Sequence, residues 1–555
     1  MPKFESTSLI IWDEQQSAHN NFWDFVYMHP EATHMHAWTM SDRAIPRSFR
    51  MMQGFGVNTY CLINSKNERS FVKFIFTPEL GVHSLVWDEA LKLAGQDPDF
   101  HRKDLWEAIE NGAPPKWKFG IQTIPEADEH NFDFDILDAT KVWPEELIPI
   151  RYLGELELNR NPDNFFCEVE QAAFCTSHII PGIDFSDDPL LQGRNFSYFD
   201  TQITRLGINW EELPINRPVC PVMNNHRDGG MRHGIHRGTV NYWPNRFEAN
   251  PPAKEAGFVS YPTKEPGIKA RLVSHKFKDY LTQAQLFYNS LSPIEKLHQK
   301  NAYSFELSHC DDPVVYNRMS ERLAEIDLSL AQGVAEKVGA PMPEKQVKPN
   351  HGKKAKGLSQ LEFMPEKPTI KSRRIAILIA DEYDPVSYES VSAAVRAQGA
   401  LPFVIAPKRQ RILASGSESV QPDHTFAGMR STMFDAVFIP DGKHAETLRK
   451  IGLARYWVRE AFGHNKAIGA VGMGILLVED AVREAEGVKL ASLSNSDVTE
   501  SYGVVTVGRV EESSMKQPVE ILKQGKGFTD QFFFQISQHR CWQRELDGLS
   551  DMVSC

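Results

Sequence analysis

In the stretch LQGRNFSYFDTQITRLG (191–207), Arg194, Tyr198, Thr201, Gln202 and Arg205 fall at spacings that put them on one face of a helix. Two permanently charged guanidiniums stand where a core stripe would carry Leu, so the face predicts an anionic partner. A free tyrosine titrates near 10, and a cation within ~4–6 Å lowers that by about 1–3 units. Arg194, one turn before Tyr198, supplies such a cation. A ferric ion would complete the deprotonation, because a coordinated metal is the largest local charge in its site. A phenolate ligand pushes electron density onto iron and suits oxidation by peroxide. The competing reading is an amphipathic helix in which Tyr198 is a core residue with its hydroxyl bonded to an arginine.

Such a face must be held by a scaffold. Residues 20–40 predict a helix, a break at Pro30 and a second short helix. Four β-rich runs follow at 48–64, 69–78, 116–126 and 150–160, interrupted by a helical stretch at 85–112, and predict antiparallel strands of one sheet. Residues 161–250 are dense in Pro, Asn, Gly and Asp and read as a long segment wrapping the sheet. Helical patterns return at 275–339, and the Lys- and Pro-rich 340–372 reads as an inter-domain linker. RRIAILIA (373–380), LPFVIAP, FDAVFIPDG and KAIGAVGMG then alternate with helical patterns, which predicts a parallel sheet covered by helices.

With 555 residues, 61 basic against 73 acidic side chains and a net charge of −12, the chain predicts several domains and no general attraction to nucleic acid or anionic lipid. Seven cysteines include no CxxC pair, so neither a disulfide framework nor a zinc site is indicated. No apolar run is long enough to span a membrane, and MPKFESTSLIIWDEQQ lacks secretory signal features. The expected location is cytoplasmic, with secretion the alternative should another N-terminus precede Met1.

The surrounding text resembles the haem catalases over about 20–330, through SDRAIPRSFRMMQGFG (41–56), DPDFHRKDLWEAI (97–109), FDFDILDATKVWPEELIP (132–149), LNRNPDNFFCEVEQAAF (158–174), PGIDFSDDPLLQGR (181–194) and FSYFDTQITRLG (196–207). With the appended α/β region, the resemblance is to the large-subunit type, whose C-terminal domain is flavodoxin-like or amidotransferase-like. It implies an α+β fold: part of a catalase β-barrel within 1–160, a wrapping segment with the ligand helix at 161–270, a helical region at 271–339, the linker at 340–372 and the flavodoxin-like unit at 373–555. It implies disproportionation of hydrogen peroxide at haem b or d, in a homotetramer. Tyr198 matches the iron ligand, Arg194 its hydrogen-bonding partner, and Thr201, Gln202 and Arg205 the proximal haem face. Asp188 matches an acid that orients the arginine, and Phe174 an aromatic at the haem edge.

Two positions depart from the family pattern or extend it. Asn58 stands where the family commonly has His in the proximal network. Cys175 lies 23 residues before Tyr198, where some large-subunit catalases join a side chain covalently to the ligand tyrosine; a Cys175–Tyr198 link and an unreacted thiol both stay open.

The His and Asn that the family uses on the distal side have no match in this chain. His19, His29, His34 and His36 read as packing or surface residues. Four strands are half of the family's eight, so the sequence reads as an N-terminally truncated catalase, or as an inactive haem-binding relative. In the C-terminal region Met473, between Gly472 and Gly474, occupies the place of a nucleophile elbow. A thioether cannot attack as a thiolate does, and the two glycines only half-match a dinucleotide loop, so a structural or assembly role is expected.

Overall fold

The computed structural model describes residues 20–219, 227–236, 238–248, 261–263, 274–509 and 527–553. His19, Cys220 and Cys555 lie outside the described residues, as do residues 1–18. The first sheet is antiparallel and contains β1 (Gly54–Phe55), β2 (Tyr60–Ile63), β3 (Arg69–Pro78), β4 (Lys116–Pro125), β5 (Arg151–Glu157) and β6 (Ile183–Phe185). Its order is β5-β4-β3-β2-β6, with β1 also paired to β3, an open half-barrel that fits the catalase fold. The long β3–β4 ladder runs from Ser70 opposite Pro125 to Pro78 opposite Trp117; the paired Phe71 and Ile124 fill one face together with Cys61, and Val72 is buried on the other. Every residue of β5 is exposed, Leu153 and Tyr152 included, so this edge strand is bare on both faces. Where β4 meets β5 the register shifts between Phe119 and Gly120; a Cβ at Gly120 would lie 2.6 Å from Cγ2 of Ile150, so the bulge demands glycine.

The expectation of a single strand over 48–64 is corrected. The run breaks into β1 and β2, because Asn58 and Thr59 between them are buried and hydrogen-bonded to Asp188 instead of extending the ladder. The wrapping segment also yields a strand that periodicity did not show: β6 pairs Phe185 with Tyr60 and Ile183 with Leu62, and three residues are too few to reveal an alternation.

Helices Asn20–Met28 and Thr33–Thr39, on either side of Pro30, share a core with helices Thr282–Ser290, Pro293–Leu307, Pro313–Ile326 and Leu328–Val338. Three histidines expected to be packing residues are placed accordingly. His34 Nδ1 lies 2.7 Å from the Thr140 carbonyl and its Nε2 accepts from Trp38 Nε1 at 3.0 Å. His36 packs against Trp23 and Tyr303, and His29 stacks on Phe25. Burial lowers His34 to about 4 and His36 to about 3.

The stretch 340–372 is no free spacer. Ala355 and Leu358 enter the helical core, Ser359 Oγ donates to Glu295 at 2.7 Å, and Gln360 Nε2 donates to Asp42 at 2.9 Å. Beyond it lie β7 (Arg374–Leu378), β8 (Leu401–Ala406), a small hairpin of β9 (Ile412–Leu413) and β10 (Ser419–Val420), then β11 (His424–Thr425), β12 (Ala436–Ile439), β13 (Ala467–Val471), β14 (Thr499–Ser501) and β15 (Val504–Val507). The large sheet has the order β11-β8-β7-β12-β13-β15-β14 and is parallel except for the β14–β15 edge. Alternate residues of β7 serve two cores: Ile375 and Ile377 face one, Ala376 and Leu378 the other. Helix Pro385–Ala397 covers the first and helix Gly452–Gly463 the second.

Candidate functional site

Helix Pro189–Leu206 carries the face identified in the sequence. Asp188 caps it: Oδ1 accepts from the Leu190 and Leu191 amides at 2.8 and 3.0 Å, with Pro189 at the first helical position. The other oxygen, Oδ2, accepts from the Thr59 amide and from Asn58 Nδ2, both at 3.1 Å. The carboxylate is completely buried and balanced by four N–H donors.

From Asn58 the network reaches the tyrosine. Asn58 Oδ1 accepts from one terminal nitrogen of Arg194, and the other terminal nitrogen donates to the Tyr198 hydroxyl. The Arg194 guanidinium also sits 4.8 Å from the centre of the Tyr198 ring. No described residue accepts a hydrogen bond from the Tyr198 hydroxyl, which suits an oxygen that acts only as an acceptor. The expectation that Asp188 orients the arginine is refined, because its carboxylate acts through the Asn58 amide and the described contacts do not join it directly to Arg194.

Gln202 and Arg205 brace the wrapping segment. Gln202 is buried and donates to the Phe174 carbonyl at 3.0 Å. Arg205 donates to the carbonyls of Glu170 and Ala172 at 2.7 and 2.8 Å and to Gln202 Oε1 at 2.7 Å. These bonds fix the chain leading to Phe174, a residue 81% exposed, beside the helix face on which Thr201 is exposed. An apolar ring held open by this hydrogen bonding fits a flat hydrophobic group on the face that carries Tyr198 and Thr201.

Behind the face, Tyr60 donates to the Thr176 carbonyl at 3.0 Å; burial raises its phenol, against the pull of Arg194. Lys73, fully enclosed, donates to the Lys141 carbonyl at 2.9 Å, and burial lowers its amine to about 8 despite attraction from Asp188. Cys175 is half-buried with its sulfur 2.9 Å from Ser177 Oγ. The structure thus joins Tyr198, Arg194 and Asp188 in one network, gathers Gln202, Arg205 and Phe174 in a second, and leaves Thr201 on the open face. Residue spacing did not reveal Asn58 as the bridge or Arg205 as a brace, since both depend on segments far away in the chain. The Asp-Pro pair at 188–189 was a legible sign that this carboxylate serves a helix end.

Residues 11–249 match the model of the catalase family, residues 274–338 that of the catalase-related immune-responsive domain, and residues 371–533 that of the C-terminal domain found in long catalases. The chain belongs to the catalase family. It is 65% identical to Catalase-1 of Neurospora crassa over 544 residues, covering 98% of this chain and 74% of that protein. It is 63% identical to Catalase A of Emericella nidulans, again over 98% of this chain and 74% of the relative. Identity to Catalase HPII of Mycobacterium avium is 42%, over 97% of this chain and 73% of the relative.

Proposed function

We propose that the Tyr198 face is the proximal side of the haem at which this catalase, a hydrogen-peroxide oxidoreductase, disproportionates its substrate to water and dioxygen. The observation that carries the assignment is the Tyr198 hydroxyl receiving a guanidinium hydrogen bond while giving none to any described residue. Haem supplies a ferric centre able to take electrons from one peroxide and return them to another. Tyr198 would hold the iron, Arg194 donates to its phenol oxygen, Thr201 and Phe174 would line the cofactor, and Gln202 and Arg205 fix the segment that carries Phe174. Identities of 65%, 63% and 62% to three catalases over 98% of the chain favour this reading over an inactive haem binder.

Haem b or d, a homotetramer and a cytoplasmic rather than secreted location belong to the same proposal. The bare faces of β5 support assembly, and no helix among the described residues is long and apolar enough to cross a membrane. The divisions at 160, 270, 339 and 372 belong to the proposal too; the boundary at 372 and the flavodoxin-like character of the last unit are supported by the largely parallel sheet that begins at Arg374. A structural role for that unit is supported by Met473 at the elbow, its amide bonded to Asp441 at 2.8 Å. A Cys175–Tyr198 bond would cost each partner one hydrogen as one peroxide becomes two waters; peptide mass spectrometry of peroxide-treated protein reads it directly.

The test of the function is oxygen release from peroxide by the purified chain, recorded with its Soret spectrum. A Soret band with oxygen release supports the proposal, and a band without oxygen supports the inactive binder.

A further inference from the structure

We propose that a halide-sized anion binds inside the junction between the part that matches the catalase model and the α/β unit, held by Arg47 Nη1 and Arg540 Nε. The site shares no residue with the Tyr198 face and does not depend on the haem assignment.

Two buried donors point to it. The Arg47 side chain is 1% exposed and that of Arg540 is fully buried. Arg47 donates from Nε to Asp435 at 2.9 Å and from Nη2 to the Met433 carbonyl at 3.4 Å. Arg540 donates from Nη2 to Glu89 at 2.9 Å and from Nη1 to the His539 carbonyl at 3.1 Å. Arg47 Nη1 and Arg540 Nε, equally buried, reach no acceptor among the described residues. An N–H group left unpaired away from water costs more than a typical hydrogen bond gains, so native interiors supply a partner.

The charges point the same way. Four buried cations, Arg47, Arg373, Lys466 and Arg540, are paired with two buried carboxylates, Asp435 and Glu89. Neighbouring carboxylates are committed elsewhere: Asp104 to Arg50 at 2.8 Å, and Glu460 to Lys92 at 4.0 Å. Two positive charges are therefore left over. Burial lowers Lys466 to about 8 and Arg373 to about 10; Glu89 opposes the first shift and Asp435 the second, while Arg47 and Arg540 add to both. The stacked rings of His83 and His539 bring no compensation, since burial and the nearby arginines hold both well below the ordinary imidazole value.

The class of ligand follows from what the site offers. Water could accept from both donors, but it would leave the surplus charge and would need acceptors for its own two hydrogens. The Asp435 and Glu89 oxygens are already taken by Arg47, the Arg374 amide, Lys466 and Arg540. Phosphate or sulfate would bury more oxygens than two donors can satisfy. A monatomic anion only accepts, takes N–H donors from any direction and carries the missing charge. Bound there, it ties Arg47, ahead of β1, to Arg540, beyond helix Phe528–Ser537, and stabilises the folded chain by mass action.

The experiment uses bromide as the probe and the haem-loaded full chain. Crystals grown in sodium bromide and measured at the bromine absorption edge are expected to show an anomalous peak within hydrogen-bond reach of both Arg47 Nη1 and Arg540 Nε. In solution, replacing sodium gluconate by sodium bromide at constant ionic strength is expected to raise the melting temperature by about 2–4 °C and then saturate. Arg540→Met should lose that response, and the diffraction peak decides alone should this variant not fold. Density without anomalous signal at the site, anomalous peaks only elsewhere (an adventitious ion only), or an Arg540→Met response equal to the native one overturns the proposal.

Discussion

The Glu89 carboxylate lies 2.6 Å from the Lys466 ammonium, and neither side chain is exposed. Glu89 belongs to helix Trp87–Gln96 of the part that matches the catalase model, whereas Lys466 immediately precedes β13 of the α/β unit. Arg540 adds a second cation at 2.9 Å. Burial opposes the charge on Glu89, but Arg540 and then Lys466 hold its carboxyl well below the usual range. Arg47, which feels the charge of Glu89, pairs with Asp435 at 2.9 Å, again across the two parts and again buried.

Glu89→Leu therefore strands two buried cations. The expected loss is about 3–5 kcal/mol, because removing one partner of a buried ion network leaves uncompensated charge. Chemical unfolding followed by tryptophan fluorescence measures it, and a change below about 1 kcal/mol, the level of an exposed pair, would contradict the account.

His298 gives a pH dependence of known sign. Its Nδ1 lies 2.8 Å from Asp42 and its Nε2 3.1 Å from Glu545. Burial disfavours the charged ring, yet the Asp42 and Glu545 carboxylates together push it up to about 10. A folded value above the unfolded one, near 6.5, means the contribution is complete below about 6.5 and disappears as pH rises through 10. Native protein should thus be more stable than His298→Gln at pH 6, with the gap closing toward pH 10. Melting temperatures across that range test it, and a gap that widens with pH would reverse the argument.

Arg205 is expected to act by bracing the chain. Arg205→Met removes bonds to Glu170, Ala172 and Gln202, and cleavage within 166–174 should quicken under limited proteolysis. Arg205→Lys should not restore protection, because a single ammonium lacks the planar fork that reaches several acceptors. Native resistance in the lysine variant would instead make charge the working property.

The helical face was legible because its chemistry is local: Arg194 and Tyr198 are one turn apart, and an Arg where Leu belongs stands out. The α/β region was legible for a similar reason, since β7, β8, β12 and β13 are buried apolar runs separated by amphipathic helices. What sequence pattern could not supply was long-range pairing. Asn58 lies 130 residues from Asp188, so its bridging role appears only when β2 and β6 bring the two segments together. The 340–372 stretch read as a linker because Lys and Pro suppress periodic structure, yet its Ser359 and Gln360 find buried carboxylates on other elements. Packing of irregular backbone leaves no period to detect.

The central claim is that the Tyr198 oxygen, which accepts a hydrogen bond from Arg194, binds ferric haem. Its most direct test is the ferric optical spectrum of the haem-loaded chain beside that of Tyr198→Phe. The account predicts a phenolate-to-iron charge-transfer band in the native protein and its complete loss in the variant. An unchanged band in Tyr198→Phe, with undiminished haem occupancy, would contradict it.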